Sequence, residues 1–167
     1  GPEMKSTGEV MGTGRSFAEA YAKAQLSAGE KIPDKGCAFI SLRKSDRKFA
    51  AEVAKEFYDL GFQLIATKGT ASKILEDNLP VNVVKKVAEG RPNIVDMIKN
   101  GEVQLVVNTT EGRQSIIDSS SIRRTALEEK IHCTTTIEGA RAICSVLRNK
   151  EPWSVERLQD LHARLEF

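Results

Sequence analysis

At 167 residues and 18.4 kDa the chain has room for one ordinary domain, or for one domain carrying an appendage. Its residues are 40% hydrophobic, 29% charged and 5% aromatic, which excludes disorder, collagen and coiled coil and leaves too few rings for a base-stacking platform. With 25 basic against 23 acidic residues the net charge is only +2, far from the footprint of a duplex-binding domain, so any bound anion must be held locally.

Residues 1–14 are polar and glycine-bearing, without a sustained period. Ser16 can then cap a short helix with Phe17, Ala20, Tyr21, Ala24 and Ala28 as its apolar positions. The glycines, proline and charges of residues 29–36 read as a linker, so a domain boundary is expected at residue 36, with a second domain over 37–167. From Cys37 onward short apolar runs alternate with amphipathic stretches, the pattern of β-α units on a parallel sheet covered on both faces. Cys37 to Leu42 is a strand, and Asp46 caps a helix whose stripe is Phe49, Val53, Phe57 and Leu60, ended by Gly61. Gln63 to Ala66 is a second strand and Ala71 to Asp77 a short helix; Pro80 to Val84 is a weak or edge strand because of its proline. Ile94 to Lys99 is helical, Val103 to Val107 is the most apolar strand, Ile122 to Glu129 is helical and Ile131 to Thr134 is the fifth strand. Ile137 to Leu147 and Ser154 to Leu165 complete the helices. The expected fold is an α/β doubly wound, mainly parallel five-stranded sheet with helices on both faces, preceded by a short helical stub.

Cys37, Cys133 and Cys144 are odd in number and show no C-x-x-C pair, so neither a disulfide framework nor a zinc site is indicated, and a reduced, cytoplasmic compartment fits best. No apolar run approaches the ~20 residues of a membrane helix, and no signal-peptide pattern opens the chain. Beginning at Gly1-Pro2-Glu3-Met4, the chain reads as a piece of something longer.

In an open parallel sheet ligands bind outside the carboxyl ends of the strands. The residues that follow the strands are Ser41 with Arg43-Lys44-Ser45-Asp46-Arg47-Lys48, then Thr67-Lys68-Gly69-Thr70, then Asn108-Thr109-Thr110 with Gly112-Arg113. Lys85-Lys86 and Glu89-Gly90-Arg91-Pro92 stand between them. Hydroxyls, an amide, glycines and cations, with hardly a carboxylate, make a phosphate cradle in which N–H and O–H groups donate and Lys or Arg adds charge. No P-loop and no G-x-G-x-x-G after a strand occurs. Taken singly, Thr67–Thr70 or Asn108–Thr110 is equally a strand-to-helix turn with a cap; their convergence on one edge favours the cradle. His132 and His162 are isolated, and no Ser-His-Asp or Cys-His set can be assembled. Asp96 reads as a solvated helix residue and Lys85-Lys86 as either a solvated pair or a ligand contact. Arg123-Arg124 open a helix, where cations oppose the dipole, and face an anion, an acidic neighbour or water.

Thr67 to Thr70, Glu89-Gly90-Arg91-Pro92, Asn108-Thr109-Thr110 and Ile122-Arg123-Arg124-Thr125-Ala126-Leu127 together resemble the C-terminal regulatory end of the large subunit of bacterial carbamoyl phosphate synthetase, a methylglyoxal-synthase-like domain. Residues 1–12, GPEMKSTGEVMG, resemble that family's signature closing the second ATP-grasp half, so that 1–36 corresponds to its stub plus linker. The resemblance implies a domain without cofactor or chemistry of its own that binds nucleotide effectors, inhibitory UMP and, in enteric relatives, activating IMP, in one pocket at the strand ends. Thr67, Lys68, Gly69 and Thr70 with Lys86, and Asn108 with Thr110, would hold the phosphate, completed by Ser41 and Arg47. Arg47 stands where a lysine is common and Lys68 where histidine occurs; a guanidinium fork is not equivalent to an ammonium. Thr135 matches a threonine at the boundary toward the ATP-grasp half, where ornithine acts on enteric enzymes.

For the parent the resemblance implies a cytoplasmic ligase of pyrimidine and arginine biosynthesis that uses ATP with Mg2+ or Mn2+ and K+. Its partners would be the remaining ATP-grasp halves and a glutamine amidotransferase small subunit, with neither nucleic acid nor membrane. The rival is an active methylglyoxal synthase, a lyase acting on dihydroxyacetone phosphate. Its glycine-glycine-aspartate motif corresponds to Glu89-Gly90-Arg91, so Arg91 occupies the place of the catalytic aspartate, and a cation there binds an anion rather than abstracting a proton. The histidines that family needs beside the sugar phosphate are not matched. A nucleic-acid or protein-interaction module has only surface charge behind it.

Overall fold

The structure is a computed structural model that describes residues 32–149. The helix expected after Ser16, His162 and the helical tail expected from Ser154 lie outside the described residues. The chain divides into two units: the first is Pro33–Ala140, and of the described residues Ile32 and those from Arg141 onward belong to the other.

Within the first unit, five strands form one sheet: β1 (Gly36–Ser41), β2 (Phe62–Ala66), β3 (Asn82–Val83), β4 (Leu105–Asn108) and β5 (His132–Thr134). Their order is β3-β2-β1-β4-β5, and every neighbouring pair is parallel. A central parallel strand is buried on both faces, which is why β1 reads as an unbroken apolar run; Ala38, Phe39 and Ile40 are all fully buried. At the edge β3 has only two residues, both exposed, in keeping with the proline that precedes it.

Helix α1 (Ala50–Asp59) is entered through a 3-10 turn, Lys44–Phe49, and α2 spans Lys68–Leu75. These two pack together and on β2, and the Phe57 ring meets Phe62 edge-on at 5.6 Å. Helices α3 (Ile94–Lys99) and α4 (Gly112–Glu128) pack together, and α4 also covers β5. The core of this layer is Cys37, Phe39, Ile65, Ile94, Ile98, Val103, Val106 and Ile122. Helix α5 (Ile137–Arg148) begins in this unit, and its residues from Arg141 onward belong to the other. Among the described residues no helix is long and apolar enough to cross a membrane.

Two local expectations are corrected. Asp46 is not a helix cap: α1 continues from the 3-10 turn through Phe49, whose backbone is already helical, and the buried Asp46 carboxylate accepts the Arg43 Nε–H at 2.7 Å. Helix α4 starts at Gly112, not at Ile122.

Gly36 enters β1 with φ +122°, and a Cβ there would collide with the Gln104 amide, whose Oε1 accepts the Cys37 N–H at 2.7 Å. Gly36→Ala is therefore expected to destabilise the fold by about 1–3 kcal/mol, measured as a lower urea midpoint with an unchanged slope.

Candidate functional site

Side chains alternate across a strand, so Ser41, Thr67 and Asn108 fall on the same face as Phe39, Ile65 and Val106, two residues before each of them. Phe39 is in register with both Ile65 and Val106, so these three core residues lie level across β2, β1 and β4. The polar residues that follow them are level too, with Ser41 paired to Asn108. Where the strands leave the core, the same layer turns from apolar to polar. It opens there into a cavity of about 310 Å³ lined by Ser41, Thr67 and Asn108. This is the point where the order of strands reverses, since the chain leaves β1 toward β2 on one side while β4 lies on the other. Open α/β sheets bind ligands there.

Helix α4 supplies the opposite wall through Ser115, Asp118, Ser119 and Ile122, spaced to share one helical face. Ile122 joins cavity to core, being part of both. Arg43, Lys44, Arg47 and Lys86 bring four cations to the lining, and Glu111 and Asp118 two carboxylates.

The loops are stitched by their own hydroxyls. Thr109 Oγ1 accepts the Arg43 N–H at 2.9 Å, the Thr109 N–H donates to the Ser41 carbonyl at 3.0 Å, and Thr70 Oγ1 accepts the Leu42 N–H at 2.9 Å. Thr67 occupies the N-cap position of α2 but makes no side-chain cap; its hydroxyl donates to Ser41 Oγ at 3.1 Å. The first-turn amides of α2 are thus not closed off by that side chain, and the helix dipole there favours an anion. Asn108 is 2% exposed and its buried Nδ2 has no hydrogen-bond partner. An unmade bond of this kind costs about 1–3 kcal/mol, so the donor is held ready at the cavity wall at the expense of stability.

Charge divides the cavity. Arg43 is engaged by Asp46 and by the Thr110 carbonyl, the latter at 3.4 Å, which leaves Lys44, Arg47 and Lys86 as the cations of the β side. On the α4 side Asp118 accepts the Gln114 Nε2–H at 2.9 Å, and Glu111 accepts the Ser45 hydroxyl at 3.2 Å. The expectation of hardly a carboxylate is corrected by these two. Among the described residues no cysteine lines the cavity, and burial pushes the Cys37 and Cys133 thiols up to about 11.

The model of the MGS-like domain family matches residues 50–135, from the start of α1 to just past β5. The chain belongs to that family. It is 63% identical over 166 residues to the carbamoyl phosphate synthase large chain of Pseudomonas aeruginosa, covering 99% of this chain and 16% of that protein. To the large chains of Halomonas eurihalina and Xylella fastidiosa it is 55% identical over 165 residues and 48% identical over 166. These matches cover 97% and 99% of this chain and 15% of each relative, so the chain spans about one sixth of the length of the curated relatives it matches.

The MGS-like match contains Thr67 and Asn108, while Ser41 and Arg47 precede it. Of the residues expected from the sequence, Ser41, Arg47, Thr67, Lys86 and Asn108 line the cavity together. Gly69 lies against the Arg47 guanidinium instead. Thr70 is fully buried and its hydroxyl is taken by Leu42, and Thr110 lends its carbonyl to Arg43. Lys68 is exposed at the start of α2, and Thr135 is exposed beyond β5, neither of them in the lining. Ser115, Asp118 and Ser119 were not expected; their three- and four-residue spacing ahead of Ile122 is the signal that marks them.

Arg91 also stands apart. Its side chain is 82% exposed and reaches Asp96, 2.7 Å from Nη2 to Oδ1, outside the cavity lining. The Arg91 guanidinium, then the Asn93 N–H, hold the Asp96 carboxyl below the usual carboxylate range. With a depressed folded-state pKa, this contribution to stability is present above the ordinary carboxylate value and is lost as the pH falls toward the depressed one. In Arg91→Ala the Asp96 titration midpoint, followed by carboxyl carbon NMR, is expected to rise while the cavity is undisturbed.

Proposed function

We propose that this chain is a regulatory domain of a carbamoyl phosphate synthase large chain that binds UMP- or IMP-type nucleotides in the cavity at the ends of β1 and β4, and that it catalyses nothing itself. The observation that carries this reading is Asn108, whose buried, unpartnered Nδ2 sits level with the Ser41 and Thr67 hydroxyls beside Arg47 and Lys86. A phosphate monoester supplies acceptor oxygens to the Asn108 Nδ2, to the Ser41 hydroxyl and to the Arg47 and Lys86 cations. Each bond to an ionised group contributes about 1.5–3 kcal/mol, so three or four suffice for micromolar affinity, about 8 kcal/mol. Asp118 and the α4 serines offer acceptors to the hydroxyls of a sugar attached to that phosphate.

The lyase reading rests on the family and on the two carboxylates of the cavity. Against it, Arg91 stands at the place of the catalytic aspartate and is bound to Asp96 outside the lining. In the whole synthase, the ATP-grasp halves with Mg2+ or Mn2+ and K+ would make carbamoyl phosphate from bicarbonate, ATP as the phosphoryl donor and the ammonia that a glutamine amidotransferase subunit releases, in the cytoplasm. The nucleotide would shift that machinery between conformations by its differential affinity for them, typically ~1–3 kcal/mol of coupling.

Calorimetry with IMP and UMP on the chain, beside an assay for methylglyoxal from dihydroxyacetone phosphate, tests this. The expected result is nucleotide binding, weakened about tenfold in Thr67→Ala and in Lys86→Ala, with no turnover. Turnover, or full affinity in both variants, overturns it.

A further inference from the structure

Arg47 is held at two points. Its Nε–H donates to the Leu42 carbonyl at 3.2 Å, and Leu42 is itself fixed through its N–H, which donates to the buried Thr70 hydroxyl. The second point is Gly69: a Cβ placed there would stand 2.6 Å from the Arg47 Cζ and 2.7 and 2.8 Å from its terminal nitrogens. Only a residue without a side chain lets the guanidinium lie so close to the first turn of α2. The backbone of Gly69 does not take a left-handed φ, so conformational freedom does not explain the glycine. Of the five N–H donors of a guanidinium one is used on Leu42, and the remaining four, on the two terminal nitrogens, form the fork that matches phosphoryl oxygens.

We propose that Gly69 is a positioning residue: its missing Cβ is the seat of the Arg47 guanidinium, and the seat aims the two terminal nitrogens at the phosphate of the bound nucleotide. This rests on the nucleotide reading of the cavity and gives Gly69 a role distinct from a phosphate contact of its own. Alanine at this position keeps the backbone N–H, so the substitution removes the seat alone. The groups in the way are the far end of a flexible side chain, which can swing out to solvent. The fold therefore loses little, and a helix position gains from Gly→Ala.

The test uses the full 167-residue chain. In Gly69→Ala, IMP affinity measured by calorimetry is expected to fall about tenfold, with a melting temperature equal to or above that of the parent. In an Arg47→Lys background, whose slimmer ammonium needs no seat, Gly69→Ala is expected to change affinity less than about twofold, since the interaction it disrupts is gone. The Arg47 Nε–H resonance, protected by Leu42, is expected to shift or vanish in Gly69→Ala even without nucleotide. An equal loss of affinity in both backgrounds overturns the proposal, because Gly69 would then act through its own contact. An unmoved Nε–H signal overturns it as well. Failure of the parent chain to bind IMP or UMP refutes the nucleotide reading and with it the aim of the fork, while the Nε–H signal judges the seat separately.

Discussion

Asn108→Leu is expected to weaken nucleotide binding by as much as about 100-fold while leaving the unfolding free energy unchanged or raised by about 1 kcal/mol. The two effects have one cause. The Asn108 Nδ2 is buried beside the cavity without a partner, so the folded chain has given up its hydration and regained nothing until an acceptor arrives. Leucine has nearly the same shape and no donor to leave unsatisfied, so it removes both the penalty and the contact. Opposed signs in binding and stability mark a residue kept for a ligand. Calorimetry for affinity and urea unfolding for stability read the two arms. A large loss of stability with affinity preserved would make Asn108 a structural residue and remove the main support for the site.

Phe39→Ala is expected to cost about 3–5 kcal/mol, a large part of the ~5–15 kcal/mol that holds a domain together. Phe39 is fully buried in the central strand, level with Ile65 and Val106, and packs in the cluster that contains Ile122. Ile122 also lines the cavity, so the same truncation loosens the α4 wall. Urea unfolding measures the first effect. A cost below about 1 kcal/mol would mean that β1 is not the central buried strand.

Much of this was legible in the amino-acid order, for a physical reason. Buried parallel strands are short apolar runs, and the residues just after them cannot be apolar if they are to meet a polar ligand, so Ser41, Thr67 and Asn108 stand out once the strands are placed. The proline before β3 marked the edge of the sheet. Helix α4 was half hidden because its first turns bury small or polar groups: Ser119 is buried while Ile116 and Ile117 are exposed, the reverse of an ordinary amphipathic stripe. That face serves a cavity, and periodicity in hydrophobicity detects only faces that serve a core. Asp46 misled for a different reason. A carboxylate shortly before an apolar stripe looks like a cap, and only the structure shows that Arg43 claims it. Likewise Thr67 and Thr70 are both hydroxyls of one short motif, yet the first lines the cavity and the second is taken by Leu42, a division set by which side of α2 each faces.

The central claim is that one cavity, at the ends of β1 and β4, takes both effector nucleotides. Displacement calorimetry tests it most directly: IMP is titrated into the chain alone and into the chain saturated with UMP. The predicted result is one IMP per chain in the first titration and an apparent affinity reduced in proportion to UMP in the second, with both nucleotides weakened together in Asn108→Leu. Unchanged IMP binding in the presence of saturating UMP, or no binding of either, would contradict it.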